Sequence, residues 1–393
     1  MSGLIDRLAF RLPIRLPLCI RMAYTARQYS TVDSRSSNNA ISRKKEELLY
    51  QMGQIIRTSN FKSDKLGDHN NYDADLSSYL KRCNQANHLK DFDGDNLPSG
   101  FGSNQNITID SHIEHELQII LSQFQAPIDF AFGYGSGVFK QNGYEGSERP
   151  QIDLILGVED PIKFHEINMK QNPIHYSSLK WCGPTVLSRC QDIGAGIYFN
   201  PFVTIAGYQV KYGVVSLDRV IKDLSTWDSF YLAGRLHKPV KILRENNAIK
   251  YWNQLNLKGA ATVAKHLLRS NKNRQGKIEE FNEFNFYKKI TGLSYLGDIR
   301  YTLGGENPNK VNNIIDQNFH NFQIYYKPIY EDVVINDNDY LPLGYDLKNC
   351  LKTLERNIRR TSILQTLKGI LTAGAIKSVK YAWSKKMKVW RGK

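Results

Sequence analysis

The sequence predicts an α+β chain: a sheet with helices flanking it and more helices after it. Three observations carry this. Between Pro127 and Val158, two apolar runs bracket a glycine-rich turn. Between Phe202 and Ser216, two further strand-like runs meet at Gly207. Around them, apolar residues recur three to four apart, which is the period of a helix face. The first pair of runs is the centre of the chain. Ile128 to Phe132 leads into Gly133-Tyr134-Gly135-Ser136-Gly137-Val138-Phe139-Lys140, and Ile152-Asp153-Leu154-Ile155-Leu156 follows a short loop. Glycines spaced by single residues let backbone N–H groups converge on an anion, and the Ser136 hydroxyl adds a donor. Asp153 on the next strand would bring a hard cation such as Mg2+ to the same phosphates.

The 393 residues suffice for two or three domains with a sizeable core. A hydrophobic content of 41% is that of a globular protein. Mean hydropathy is −0.46, and no run approaches the roughly 18–20 apolar residues a spanning helix needs. The formal charge of +15 favours anionic partners: nucleic acid, nucleotide or anionic lipid. Five cysteines without a CxxC pair show neither zinc spacing nor a disulfide framework and fit a reducing compartment.

Residues 1–29 read as a mitochondrial transit peptide. Arg7, Arg11, Arg15, Arg21 and Arg27 are set among Leu, Ile and Phe with Asp6 as the one acid, and cleavage is expected between Tyr29 and Ser30. Residues 30–110 form an N-terminal helix (43–57) and a polar linker rich in Asn, Asp, Ser and Gly.

Residues 111–243 carry the chemistry. Ser111 is read as an N-cap, with Glu114 completing a capping box for a helix to about Phe124. Paired carboxylates for a metal would lie two apart on a strand, yet that position is Ile155, so Glu159 and Asp160 are the nearest second-ligand candidates. His165 and His175 read as packing or hydrogen-bonding residues. Lys211 lies in the second strand pair and adds a cation for phosphate. Leu217 to Leu224 reads as a short helix. Arg235 and Lys238 flank a predicted turn, where a guanidinium fork and a point charge suit either a triphosphate or a lipid phosphate.

Residues 244–355 are helical. One pattern spans 246–270 with a break at Gly259, and another spans 277–290. Asp298 and Arg300 share a strand face, and either close the site or form an internal salt bridge. Gly304-Gly305-Glu306 is a second glycine turn, with Asn307 and Pro308 opening the helix after it. After Glu355 no acid remains. In the tail (356–393), Trp383, Met387 and Trp390 share an apolar stripe facing Lys380, Lys385 and Lys386. Such a basic amphipathic helix lies in the interface of an anionic bilayer, with a basic RNA-binding tail as the competing reading.

The glycine turn facing a strand carboxylate resembles the nucleotidyltransferase superfamily. The segments GYGSGVFKQ, IDLILGVEDP, KYGVVS, YLAGRLHKPVKIL and SYLGDIRYTLGGENPNKV, in this order, resemble the mitochondrial phosphatidate cytidylyltransferase family, the CDP-diacylglycerol synthases of the translocator assembly and maintenance type. The resemblance implies a nucleotidyltransferase-type mixed sheet with flanking helices, a helical winged-helix-like domain and a C-terminal amphipathic helix. It also implies transfer of a cytidylyl group from CTP to phosphatidate with Mg2+, for cardiolipin and phosphatidylglycerol synthesis, by a peripheral protein on the matrix side of the inner membrane. Nucleic acid is not an expected partner. On this reading Ser136 and Asp153 are catalytic. Gly133, Gly135, Gly137, Lys140 and Lys211 hold nucleotide phosphates, and Arg235, Lys238, Asp298 and Arg300 face the lipid phosphate or the second domain. The alternatives are an RNA-directed nucleotidyltransferase and a non-catalytic inner-membrane factor for protein import.

Overall fold

Five strands form one sheet in the computed structural model, which describes residues 97–139, 150–270, 280–298, 309–342 and 344–373. All of these fall in a unit running from Tyr79 to Lys393. The strands are β1 (Phe130–Tyr134), β2 (Ile152–Val158), β3 (Tyr198–Ile205), β4 (Tyr208–Ser216) and β5 (Lys241–Arg244), in the spatial order β3-β4-β2-β1-β5. β2 and β4 run parallel, and the other pairs are antiparallel. The sheet is therefore mixed, as the family resemblance implies.

β2 lies at the centre, and six of its seven residues are buried. That explains why it reads as a near-continuous apolar run and not as an alternation. Gly133 and Leu154 face α1 (Ser111–Ser122), where Leu117 is fully buried. α2 (Pro161–Gln171) returns along the sheet, with Phe164 buried. On the other face, α4 (Leu217–Thr226) sets Leu217 against Gly157. α3 (Pro184–Asp192) precedes β3. One apolar core runs from Ile107 through the sheet to Ile358, and each fully buried Leu, Ile or Phe in it contributes about 1.5–3 kcal/mol.

Several helix boundaries differ from the sequence reading. The N-cap of α1 is Asp110, whose carboxylate accepts from His112 N, so Ser111 is the first helical residue. The helix across Gly259 is unbroken: α6 spans Asn247–Ser270. A Cβ on Gly259 would lie 3.2 Å from the Trp227 indole, so this glycine permits close packing and does not end the helix. α7 (Glu283–Leu293) and α8 (Lys310–Tyr330) follow. α9 (Cys350–Ala373) returns to the sheet layer, where a Cβ on Gly194 would sit 3.2 Å from Leu364 Cβ. Among the described residues no strand follows β5. The expected transit peptide, the second glycine turn at 304–306 and the apolar stripe at Trp383, Met387 and Trp390 lie outside the described residues.

Candidate active site

The turn after β1 is held by its own backbone. Gly135 O accepts from Val138 N at 3.1 Å and Phe139 N at 3.0 Å. Gly137 is required sterically, because a Cβ there would meet Gln151 O at 2.5 Å and Ile152 Cα at 2.9 Å. Gly135 has φ +79°, and a Cβ on it would stand 3.7 Å from Asp153 Oδ2. The exposed side of the turn thus faces the carboxylate that the sequence singles out, with Ser136 half-buried beside it.

Asp153 is paired in register with Tyr134 of β1 and Lys211 of β4, and directly paired residues share a sheet face. The Lys211 ammonium donates to Asp153 Oδ1 at 3.1 Å, with the two side chains 17% and 28% exposed. Lys211 Nζ also lies 4.8 Å from the Phe199 ring centroid. Behind this pair, α5 (Ala233–Leu236) presents Arg235. Its guanidinium lies 4.2 Å from the Tyr134 ring centroid and 4.9 Å from that of Tyr231, and Phe199 and Tyr231 are 6.2 Å apart. These side chains line the Asp153 end of the sheet. Arg235 Nε and the Tyr134 hydroxyl are buried without a hydrogen-bond partner among the described residues. Burial opposes the Arg235 charge, yet Tyr134, Tyr231 and Asp153 outweigh it and raise its pKa. Burial, followed by Asp153, raises the Tyr134 phenol, with Arg235 acting against them.

Lys238 lies three residues after Arg235, with its backbone N–H donating to Arg235 O at 3.3 Å. Its ammonium donates to Gly234 O and to Ser294 Oγ, the latter at 2.8 Å, and lies 5.6 Å from the Tyr295 ring. Lys310 Nζ is 5.4 Å from the same ring. Burial, then Arg235 and Lys310, hold the Lys238 pKa well below 10.5. Asp298 is buried at the end of this segment, with its amide 3.4 Å from Tyr295 O. Lys140 and Arg300 lie outside the described residues.

The second-ligand candidates are elsewhere. Glu159 and Asp160 follow the far end of β2, separated from Asp153 by roughly 17 Å of strand. Asp160 Oδ1 caps α2, accepting from Ile162 N at 2.9 Å and Lys163 N at 3.1 Å. Among the described residues no three His, Cys, Asp or Glu side chains group as a metal site. The two histidines are structural, as read from the sequence. His165 bridges Tyr176 and Gln191 at 3.0 Å each, and burial lowers its pKa to about 4. His175 lies 3.0 Å from the Tyr212 hydroxyl.

Four residues escape the sequence reading. Tyr134, Phe199 and Tyr231 sit in apolar surroundings where an aromatic reads as core. The fourth is Asp223, fully buried on α4. Its Oδ1 accepts from Ser229 N, Ser229 Oγ and Phe230 N, and its Oδ2 accepts from Leu232 N and Ala233 N, all within 3.0 Å. This one carboxylate fixes the loop that delivers Tyr231 and Arg235.

The glycine turn, the carboxylate and the cations converge at one end of the sheet of this α+β chain, a combination whose charges suit a phosphate. A family model described as "Phosphatidate cytidylyltransferase, mitochondrial" matches residues 117–341 and 344–388. A Saccharomyces cerevisiae protein of that name is 59% identical over 297 residues, covering 75% of this chain and 76% of the relative. The Mus musculus protein of the same name is 35% identical over 329 residues, covering 70% of this chain and 95% of the relative. A solved nucleotidyltransferase-like protein from Exiguobacterium sibiricum is 10% identical over 66% of this chain and 77% of its own, with a TM-score of 0.21, too low to bear on the fold. The chain belongs to the mitochondrial phosphatidate cytidylyltransferase family.

Proposed function

We propose that the chain transfers the cytidylyl group of CTP to phosphatidate, giving CDP-diacylglycerol and pyrophosphate for cardiolipin and phosphatidylglycerol synthesis. Family membership supports this reading, and one observation carries it to the residues: the Asp153–Lys211 pair opposite the Gly135–Gly137 turn. A phosphate oxygen of phosphatidate forms a bond to the α-phosphorus of CTP while the bond from that phosphorus to the bridging oxygen breaks, releasing pyrophosphate. A phosphate monoester with a second pKa of about 6 is already largely dianionic near neutral pH, so no general base is needed. The protein's task is then positioning and charge neutralisation. In this reading Ser136 and the turn amides hold the leaving phosphates, and Lys211 and Arg235 neutralise the transferring group. Lys238, with Asp298 and Arg300 from the second half of the chain, serves the lipid phosphate.

Asp153 fits Mg2+. Its Oδ2 faces the exposed side of Gly135, where a Cβ would sit at 3.7 Å, and this cation commonly takes one or two carboxylates plus substrate phosphates. Bound there, the ion would supply further charge neutralisation on the phosphates. Among the described residues no helix is long and apolar enough to cross a membrane. The relatives' names are mitochondrial, and we infer a peripheral position on the matrix side of the inner membrane from the Arg-rich residues 1–29 and the basic tail at 356–393. A winged-helix-like arrangement of the second half belongs to the same reading.

The test is CTP-dependent formation of CDP-diacylglycerol from phosphatidate vesicles. Asp153→Ala is expected to abolish it. Unchanged turnover removes Asp153 from the site, and incorporation of nucleotide into RNA ends in place of lipid overturns the substrate assignment.

A further inference from the structure

Six of the nine exposed large apolar side chains among the described residues fall on one connected set of segments. Ile174 (78% exposed) and Trp181 (82%) are carried by two short 3-10 turns, Pro173–His175 and Ser178–Cys182, between α2 and α3. Val186 and Ile193 lie on α3 and just past its end, and Ile363 and Leu367 lie one helical turn apart on α9. The segments are tied together, since the buried Lys368 ammonium donates to Gln191 O at 3.0 Å and to Ile193 O at 2.6 Å.

The exposed tip is built and not loose. Beneath it, Tyr176 and Tyr212 are buried, and Asn168 donates to both hydroxyls at 2.8 Å. His175, next to Ile174, reaches the same Tyr212. Lys180 bridges the two turns, donating to Pro173 O at 3.1 Å while its ammonium lies 5.2 Å from the Trp181 ring. A cleft of about 440 Å³ between them is lined by Met169, Pro173, Trp181 and Pro184 together with Lys180 and the Lys170–Glu166 ion pair. A soluble body that fixes a tryptophan and an isoleucine in water pays for it in solubility, so such a patch marks a contact surface. Tyr212 adjoins Lys211 in β4 and pairs with Leu154, so the tip is anchored at the strand level of the Asp153–Lys211 pair, on the opposite face of the sheet.

Charge selects the occupant. The cleft sets Lys170 and Lys180 against Glu166, residues up to Asp192 add Arg189 and that aspartate, and α9 carries Lys352, Arg356, Arg359 and Arg360 against Glu355. Exposed tryptophan with neighbouring lysines suits the headgroup layer of an anionic bilayer. We propose that this strip, with Ile174 and Trp181 at its tip and Ile193, Ile363 and Leu367 behind it, seats the folded body on an anionic lipid surface. It is a contact additional to the basic tail. The proposal rests on the lipid-substrate reading, because it brings the bilayer to the end of the sheet where the lipid phosphate must react.

The experiment uses the full chain and the double variant Ile174→Ser/Trp181→Ser, with folding checked by thermal midpoint. Partition onto phosphatidylcholine vesicles with and without phosphatidate is measured by flotation. The variant is expected to bind the phosphatidate-containing vesicles about tenfold more weakly. It should turn over a short-chain, monomerically dispersed phosphatidate at the parent rate. Parent-level vesicle binding by the variant overturns the surface. So does a change in oligomeric state without vesicles at unchanged lipid binding, which assigns the strip to a protein contact. If the parent fails to turn over either form of phosphatidate, the catalytic reading fails, while flotation still decides the surface.

Discussion

Lys211 Nζ and Asp153 Oδ1 are 3.1 Å apart on register-paired positions of two parallel strands. The pair is rigid because both backbones are fixed at the centre of the sheet. Lys211 therefore occupies one oxygen of Asp153, leaving the other toward the glycine turn. Lys211→Met is expected to lower kcat by about 10²–10³-fold. Lys211→Arg should recover only part of that, because a planar fork does not replace a point charge at this distance. Parent-level kcat in Lys211→Met would dismiss the pair as structural.

Gly137 offers a sharper steric test than Ser136. A Cβ placed there would lie 2.5 Å from Gln151 O and 2.9 Å from Gln151 C, and both are backbone atoms that cannot swing aside. Gly137→Ala should displace the turn from Asp153 and weaken CTP binding by at least tenfold in a calorimetric titration. Undiminished CTP affinity would separate the turn from the nucleotide.

The sheet was legible in the sequence because its central strand is buried on both faces and so spells out a continuous apolar run beside its glycines. Asp153 and Lys211 were legible for the same reason: a charge inside an apolar strand needs an explanation. The misreadings have a common cause in distance along the chain. Asp160 is seven positions from Asp153, but an extended strand carries those positions to opposite ends of the sheet, where Asp160 caps α2. Gly259 carries the helix-breaking composition, yet packing against Trp227 outweighs its propensity cost of about 1 kcal/mol. Tyr134, Tyr231 and Phe199 gather around the cations only through strand register and the α4–α5 loop. No local pattern announces that.

Asp223 is the residue on which that loop depends. Asn at this position keeps one acceptor oxygen but turns an NH2 group toward two of the backbone N–H donors now satisfied. Asp223→Asn should cost about 3 kcal/mol in urea unfolding. In the folded fraction it should raise the KM for phosphatidate through displaced Tyr231 and Arg235. Parent stability would sink the loop-template role, and lost stability with unchanged KM would confine Asp223 to folding.

Lys238 predicts a proton linkage. Its pKa is held well below 10.5 by burial and then by Arg235 and Lys310. An arriving phosphate dianion offsets the neighbouring cations, so binding raises this pKa and, at a pH above its lowered value, draws a proton from solution. Titration with short-chain phosphatidate in buffers of different ionisation enthalpy should show net proton uptake in the parent and less in Lys238→Met. Equal uptake in the two proteins would place the lipid phosphate elsewhere.

Lys368 fixes the sign of a stability profile. Burial, then Arg219, lowers its pKa from 10.5 to about 7, with Asp192 and Cys190 acting the other way. Between those two values the unfolded chain holds a proton that the folded chain lacks, so stability rises with pH across that window and is flat in this group's contribution below about 7. The slope cannot exceed about 1.4 kcal/mol per pH unit for one proton. Because the Lys368 ammonium binds the carbonyls at the end of α3, the profile reports how firmly α9 is seated against that helix. Urea midpoints measured from pH 7 upward should climb in the parent, and the climb should flatten in Lys368→Met. A parallel climb in both proteins would assign the linkage to another group and leave Lys368 as a charged hydrogen-bond donor.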